Sequence, residues 1–437
     1  MKTGERAERS RSRFLLLKPM VQKTETLIIG GGAIGVCCAF YLNALGKKVL
    51  LVEKNDICSG SSYGNAGLIV PSHSVPLAAP GVIGRGLKWI SKPQSPFYIK
   101  PRLDRNLLAW LWKFRGVCNM HHVRQSIPVL HDLHTASLKL YEALADIEGM
   151  DFAFEKKGLL ELYNTHKGYD KGIANIHLIK EYGIQNRILQ KKELNEFLGG
   201  IRTAAVGGAY RPHDAHLIPD WFVHRLARHS EKIGVRFLTS CEVLDFETAG
   251  RHVTRIKTTR GDISAEEIVI AGGSWSTELA RHLQLNLSMQ PAKGYSITFR
   301  RPAQCPCLPV AMAESKTVLT PMEDTLRFAG TLELAGFDQS INLRRVQAIL
   351  KAVRAYFPDM DPDSLELLEI WRGLRPCSPD GLPYLGRAPR YDNVILATGH
   401  GTLGISLAPI TGKVVSQLSA NDKPAINMAA LSVERFN

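Results

Sequence analysis

The chain has 437 residues, of which 45% are hydrophobic and 22% are charged. This composition is typical of a soluble globular protein, and the length predicts two domains or one domain with large insertions. No apolar run approaches the roughly 18 residues that a membrane-spanning helix requires. The eight cysteines are scattered, and Cys305 and Cys307 form a C-x-C pair without a second pair. This spacing predicts no metal site and fits a reducing, cytoplasmic compartment.

The net charge is +14, from 55 Lys and Arg residues against 41 Asp and Glu residues. We expect residues 1–23 to form a basic, disordered tail, because they lack the features of a secretory signal, and Met20 is an alternative start. The remaining basic charge suits acidic substrates or peripheral contact with the inner face of a membrane. The sequence has no nucleic-acid-binding motif, so nucleic acid is not an expected partner.

The segment 24–53 predicts a strand, a tight turn, a helix and a second strand. Gly30, Gly32 and Gly35 form a G-x-G-x-x-G motif between the first strand and the helix. Glycines at these positions allow the turn, the approach of a pyrophosphate and close packing of the helix on the strand. Glu53 follows Gly35 by 18 residues, where a carboxylate holds both ribose hydroxyls and repels a 2′-phosphate. The segment therefore predicts a dinucleotide site that does not take NADP.

Two further stretches leave alternatives open. Residues 58–81 are rich in small side chains. They form either a loop that wraps a second phosphate or a flat ring, or a flexible surface loop. Residues 82–115 mix aromatic and basic side chains. They form either a membrane-interface segment or helices with a buried core face and a solvated outer face.

The rest of the chain alternates helices and strands. The predicted helical regions are 121–147, 167–198, 219–233 and 344–356. The predicted strands are 152–163, 203–210, 235–239, 241–246, 267–271, 290–300, 317–319 and 325–332, the last three with the alternation of exposed antiparallel strands. Parallel-sheet patterns at the start, middle and end predict an α/β protein with a Rossmann-like domain built from discontinuous segments and an inserted α+β domain on a mostly antiparallel sheet. The expected boundaries are 24–85, 212–288 and 377–430 for the first domain, and 86–211 and 289–376 for the second.

Five separated motifs occur in order between residue 24 and about residue 423: GGGAIG, SSYGNAGLIVPSHSVPLAAPG, PAKGYS, GLRPCSPDGLPYLG and NVILATGHGTLGISLAP. In this combination the chain resembles the D-amino-acid dehydrogenases, flavin-dependent amine oxidoreductases related to D-amino-acid oxidase, glycine oxidase and sarcosine oxidase. The resemblance implies that the first domain binds FAD and that the second binds the substrate. Gly373 stands where some relatives tether flavin through a cysteine, which implies that FAD is bound non-covalently.

The resemblance also assigns residues to the parts of FAD. Backbone groups after the first strand meet the pyrophosphate, Glu53 meets the adenosine ribose, and the backbone of Val243 meets the adenine. Small residues after Ser61 and the loop 399–404 border the flavin. The implied cofactor-binding residues are Gly30, Gly32, Ala33, Ile34, Glu53, Lys54, Ser61, Ser62, Asn65, Ala66, Gly67, Val243, Ala271, Gly272, Trp275, Gly399, Gly401, Thr402, Leu403 and Gly404.

For the substrate, Arg375 in GLRP matches the arginine that binds the substrate carboxylate in D-amino-acid and glycine oxidases. A guanidinium binds a carboxylate through two parallel hydrogen bonds, which fixes its orientation. Alternatively, Arg375 is a structural arginine in a turn. Arg372, which lies nearby, is the competing candidate for the carboxylate ligand. Tyr295 adds a hydroxyl to the carboxylate or closes the pocket. The weaker catalytic candidates are three histidines, His73, His216 and His400.

The resemblance implies FAD-dependent oxidation of a D-amino acid, D-proline or 4-hydroxy-D-proline in amino acid catabolism. Hydride leaves Cα for flavin N5, and the electrons pass to a quinone or another carrier. The alternatives are an oxygen-using amine oxidase of the glycine or sarcosine type and a non-catalytic flavoprotein subunit of a larger dehydrogenase complex. The preference for the D configuration depends on the resemblance alone.

Overall fold

A computed structural model describes residues 21–84, 86, 95–424 and 426–436 of the protein. Residues 1–20 of the predicted tail, and residues 85 and 87–94 of the aromatic and basic stretch, lie outside the described residues. The first strand begins at Gln22, so the predicted tail overlaps that strand by two residues. None of the helices in the described ranges combines the length and the apolar character that crossing a membrane requires.

The described chain folds into helices and three sheets. The helices include α1 Ala33–Ala44, α2 Arg105–Val117, α3 Met120–Ala145, α4 His166–Lys180, α5 Lys191–Phe197, α6 Pro219–Lys232, α7 Ser276–His282, α8 Leu343–Tyr356 and α9 Ala408–Ser419. The strands are β1 Gln22–Ile29, β2 Val49–Val52, β3 Leu68–Ile69, β4 Phe97–Ile99, β5 Leu159–Tyr163, β6 Arg187–Gln190, β7 Gly207–Arg211, β8 Ala215–His216, β9 Arg236–Leu238, β10 Val243–Ala249, β11 His252–Thr258, β12 Gly261–Ile270, β13 Gln290–Arg300, β14 Val310–Met312, β15 Thr317–Met322, β16 Thr325–Leu334, β17 Leu367–Cys377, β18 Tyr384–Arg387 and β19 Val394–Thr398.

The first sheet has a parallel centre. Strand β1 pairs in parallel with β2 and β12, and the parallel run continues through β9 on one side and β19 on the other. The last three side chains of β1, Leu27 to Ile29, and all four of β2 are apolar and buried, as expected for strands covered on both faces. Helices α1, α3, α6 and α9 contribute to the hydrophobic core on one face. This arrangement confirms the predicted Rossmann-like fold.

The second sheet is mostly antiparallel, with strand order β17-β13-β16-β15-β14-β5-β7-β6 and with β4 paired to β16. Its parallel pairs are β14 with β5 and β16 with β4. Helix α8 packs its apolar face on this sheet and completes the second core. The remaining short sheet joins β3 to β8. The two large sheets confirm the predicted fold class.

Two local predictions are wrong. The helical region 167–198 is interrupted by β6, because α4 ends before Gly183, whose φ is +80°. The three strands predicted to be exposed, now β13, β15 and β16, are mostly buried. The first ten residues of β13 are buried, because this strand lies between β16 and β17 and under α8. Helix α3 belongs to the segment assigned to the second domain, yet its buried side chains share the core of the first sheet. The exact domain boundaries stay a prediction.

Candidate active site

Two cavities meet between the two large sheets. The first has a volume of about 690 Å³ and lies at the carboxyl ends of β1, β2 and β12. The second has a volume of about 650 Å³ and lies over the second sheet. The residues that line both cavities define the junction: Ser61, Asn65, Trp371, Gly373 and Arg375. A ligand long enough to extend along the first cavity therefore reaches the second one at this junction.

The start of α1 faces the first cavity with its backbone. Gly32, Ala33 and Ile34 line the cavity, and the helix has neither a side-chain cap nor an acidic residue in its first turn. The Gly30 amide donates to Val52 O (2.9 Å), and its φ of +118° turns the chain sharply out of β1. The positive end of the helix dipole suits a phosphate group. This part of the cavity therefore fits a dinucleotide pyrophosphate.

The Glu53 carboxylate is fixed beside the glycine turn. It accepts hydrogen bonds from the backbone amides of Gly31 (2.7 Å) and Asn55 (3.0 Å), one on each oxygen. Each carboxylate oxygen has further acceptor capacity, and Glu53 lines the first cavity. Lys54 lies next to it, with Nζ 3.7 Å from the centre of the Trp275 ring. The Glu53 carboxylate is therefore held in place to accept hydrogen bonds from a ribose at this end of the cavity.

Most of the predicted cofactor residues are brought together. Those that line the first cavity are Gly30, Gly32, Ala33, Ile34, Glu53, Lys54, Ser61, Ser62, Asn65, Val243, Ala271, Gly272, Trp275, Gly401 and Gly404. Those that line the second are Ser61, Asn65, Ala66, Thr402 and Leu403. Gly67 and Gly399 line neither cavity. A Cβ on Gly67 would lie 2.1 Å from Leu217 O, and one on Gly399 would lie 2.9 Å from the Tyr384 ring, so both glycines serve close packing.

Hydrogen bonds tie the loop of small residues to both sheets. The Ala33 amide donates to Ser62 Oγ (3.0 Å), and Ser61 Oγ donates to Leu374 O. Arg327, which sequence reasoning missed, is buried and donates through Nη1 to the carbonyl oxygens of Tyr63 (3.1 Å) and Asn65 (2.9 Å). These contacts hold the loop against the junction, which favours the predicted ring-wrapping loop over a flexible one.

Arg375 lies at the junction. Its Nη1 donates to Thr331 O (2.6 Å), and its guanidinium lies flat against Gly294, where a Cβ would be 2.2 Å from it. Within the described ranges Arg375 forms no ion pair with a carboxylate. Burial lowers the pKa of Arg375, an effect that the Cys377 thiol opposes. A guanidinium in such surroundings still carries its charge, so the site has an unbalanced cation that an anionic ligand would neutralise.

The other two carboxylate ligands considered from the sequence are already engaged. Arg372 lines the first cavity, but it donates to Gln339 O (2.7 Å) and to Gln339 Oε1 (2.8 Å). Tyr295 lines the second cavity, but its hydroxyl donates to Glu333 Oε2 (2.8 Å) and accepts from the Asn342 amide (3.3 Å). Arg375 is therefore the better placed of the two arginines, and the Tyr295 hydroxyl points into its own network.

Of the three candidate histidines, two line a cavity and one does not. His73 lines the second cavity and is exposed to solvent there, while desolvation by the cavity wall together with Arg211 lowers its pKa. His400 lines the first cavity, with Nε2 3.0 Å from Thr411 Oγ1, and burial lowers its pKa to about 3. His216 lines neither cavity, because β8 turns it towards Glu155, 3.2 Å from Nε2. The structure thus does not bring His216 to the site.

Trp371 was missed by sequence reasoning although it lines both cavities. Trp371, Gly373 and Arg375 are alternate residues of β17, so their side chains share one face of the strand. The period of two in WRGLR is the signal that identifies Trp371 once Arg375 is assigned. Among the described residues, no group of three or more His, Cys, Asp and Glu residues could hold a metal ion.

A sequence model of the family described as "FAD dependent oxidoreductase" matches residues 25–418. The chain belongs to this family. FAD is its cofactor, and the backbone cradle at α1 together with Glu53 fits that group. The resemblance noted from the five motifs is thereby confirmed.

Curated relatives match nearly the whole chain. The chain is 33% identical to a D-amino acid dehydrogenase of Helicobacter pylori over 408 residues, covering 92% of this chain and 97% of the relative. It is 32% identical to a D-amino acid dehydrogenase of Vibrio atlanticus over 419 residues, covering 94% and 100%. Among solved structures, glycine oxidase from Geobacillus kaustophilus superposes with a TM-score of 0.77 at 25% identity, covering 95% of this chain and all of that one.

Proposed function

We propose that the protein oxidises a D-amino or imino acid, such as a D-amino acid, D-proline or 4-hydroxy-D-proline, at Cα. The observation that carries this proposal is the Arg375 guanidinium, which borders both cavities without a carboxylate partner in the described part of the chain. The names of the curated relatives support the substrate class. A non-catalytic subunit would have no need of a charged group at this position.

The residues of the chain bind and orient the substrate. Arg375 holds the carboxylate through two parallel hydrogen bonds, so that Cα lies at the junction of the cavities. His400 is neutral near pH 7, because burial lowers its pKa, and it adds no charge beside the substrate amine. FAD, which the backbone cradle at α1 and Glu53 would hold, would supply the acceptor for the hydride from Cα. The imino acid that results is hydrolysed by water to a 2-oxo acid and ammonia, whereas a cyclic substrate gives a cyclic imine.

The electrons then pass to a quinone or another carrier, and we propose that α2 brings the protein to a membrane surface. The inner face of α2 is buried through Leu107 and Trp110. Its outer face exposes 61% of Leu108 and 73% of Trp112. The helix carries three basic residues and no acidic one, and Leu111 lines the second cavity. An apolar face with positive charge suits an anionic bilayer surface.

Oxygen is the second candidate acceptor, because the similarity to glycine oxidase supports an oxidase. The two acceptors can be distinguished by reducing the protein with substrate in the absence of air and then measuring how fast each acceptor reoxidises it. Rapid reoxidation by a quinone analogue and slow reoxidation by air would support the dehydrogenase, and the reverse order would support the oxidase. A protein whose flavin no substrate reduces would be a non-catalytic flavoprotein.

The substrate assignment is tested by flavin bleaching in the absence of air. We expect D-amino acids, D-proline or 4-hydroxy-D-proline to reduce the bound flavin and their L enantiomers to do so at least about tenfold more slowly. Arg375→Leu should weaken substrate binding by about a hundredfold or more, because it removes a charge-assisted hydrogen-bonding pair. Arg372→Leu is the matched control and should change binding by less than about threefold. Unchanged affinity in Arg375→Leu would refute the carboxylate role.

A further inference from the structure

The indole of Trp371 is packed in a defined position at the junction of the two cavities. It lies between two glycines that belong to different parts of the chain, Gly64 in the loop of small residues and Gly373 in β17. A Cβ on either glycine would lie 2.0 Å from a carbon of the indole ring. The ring of Tyr63 lies close by, with centroids 6.2 Å apart. The side chain thus fits only because both neighbours lack one.

Trp371 and Arg375 share this junction. They lie on the same face of β17, on either side of Gly373, and both line both cavities. The first cavity is the one that fits FAD, and the second is open to the outside through residues such as Arg115 and Leu77, both of which are exposed. The guanidinium of Arg375 lies over Gly294 and the indole lies over Gly373, and these two glycines are partners in the pairing of β13 with β17, so the two side chains lie side by side over the sheet.

The strength of an ion pair depends on its access to water. The attraction between two unit charges several ångströms apart is about four times larger at the effective dielectric constant of a protein than in bulk water. Pairs that water does not reach are also screened much less by salt. An apolar ring beside Arg375 would therefore strengthen the bond to a carboxylate and make that bond insensitive to ionic strength.

We propose that Trp371 is a positioning residue that covers the ion pair between Arg375 and the substrate carboxylate and keeps water from it. The proposal deepens the proposed function and depends on it, because it requires a carboxylate on Arg375. It differs from a merely structural role of Trp371 in one respect. If Trp371 only supported the fold, its replacement would affect folding and FAD content. If it covers the ion pair, its replacement changes the salt dependence of carboxylate binding.

The experiment uses FAD-loaded protein and benzoate, a carboxylate with no Cα hydrogen to lose, with binding followed by calorimetry. In the wild type we expect a Kd that changes little between ionic strengths of about 0.01 M and 0.15 M. Trp371→Ala should weaken benzoate binding by about tenfold and make it depend clearly on salt. Trp371→Phe should keep most of the wild-type benzoate affinity and most of its insensitivity to salt. Gly64→Ala should resemble Trp371→Ala, because the added methyl group expels the indole.

Two controls separate the interpretations. Benzamide has the same ring without the charge, so its Kd should be independent of salt in every variant. In an Arg375→Leu background, Trp371→Ala should add no further loss of benzoate affinity, because the two residues act on one bond. If the wild type and Trp371→Ala bind benzoate equally well and with the same salt dependence, Trp371 does not cover the ion pair. That result would leave the proposed function unaffected. No benzoate binding by the wild type would overturn the proposed cover, whereas flavin bleaching by D-amino acids decides the proposed function separately.

Discussion

At the scale of the residue, His134 is a buried group whose charge state links stability to pH. It is fully buried in α3, with Nδ1 2.8 Å from Ser406 Oγ, and Nε2 finds no partner within the described chain. Burial lowers its pKa to about 3, with smaller contributions from His73 and His131. The unfolded chain protonates this imidazole near pH 6.5, so the stabilising contribution is complete above that pH and is lost as the pH falls towards 3.

We predict that His134→Gln reduces the acid sensitivity of the fold. Between pH 7 and pH 5 the wild type should lose about 2 kcal/mol more of its free energy of unfolding than the variant does. Urea denaturation at a series of pH values measures the difference. His121 is exposed, so His121→Gln should follow the wild type. Equal slopes for the wild type and His134→Gln would mean that the ring is charged without penalty in the native state.

At the scale of the element, the turn from β1 into α1 depends on contact between two glycines. A Cβ on Gly35 would lie 1.8 Å from Gly30 O, so helix and strand would have to separate. We predict that Gly35→Ala lowers the free energy of unfolding by about 1–3 kcal/mol and yields protein with little FAD. Flavin absorbance per polypeptide and thermal unfolding measure the two effects.

The control for that substitution is Gly116 near the end of α2. An added Cβ there has no atom within 4 Å, so Gly116→Ala should leave FAD binding unchanged and raise helix stability by up to about 1 kcal/mol. If Gly35→Ala retained full FAD and full stability, the close approach would not be essential to the cofactor site.

The sequence predicted the elements whose signals are local. Segment 24–53 carries its strand, turn and helix patterns within thirty residues, and the structure has them at β1, α1 and β2. The burial of β13 was not predictable, because it depends on β16 and β17, which come later in the chain. For the same reason His216 looked like a site residue: its partner Glu155 is known only once β8 is placed.

At the scale of the whole molecule, the site exists because two sheets from interleaved segments meet. The parallel sheet supplies the backbone cradle at α1, and the second sheet supplies Arg375 and Trp371 on β17. The loop of small residues is held by both, through Ala33 on one side and Arg327 on the other. Because the chain crosses between the sheets several times, the complete site requires both sheets.

The position of α2 at the same cavity leads to a prediction about the intact protein. Leu108 and Trp112 line neither cavity, so their replacement should leave the reaction with a soluble dye unchanged. Burying one such side chain in a bilayer interface contributes up to about 1.5–3 kcal/mol. We therefore predict that Leu108→Gln with Trp112→Gln lowers binding to anionic vesicles by at least about tenfold, measured by co-sedimentation. Neutral vesicles should bind the wild type more weakly, because the basic charge of α2 then has no partner.

The matched control is Leu343, which begins α8 and is 65% exposed, against 61% for Leu108. Leu343→Gln removes about as much exposed apolar surface as Leu108→Gln does, and no residue of α8 lines the second cavity, so it should leave vesicle binding unchanged. The double variant should also slow reoxidation by a quinone dissolved in the vesicles while keeping the rate with a soluble quinone analogue. Vesicle binding that survives in the double variant, or a concentration-dependent dimer that the variant abolishes, would assign this face to another partner.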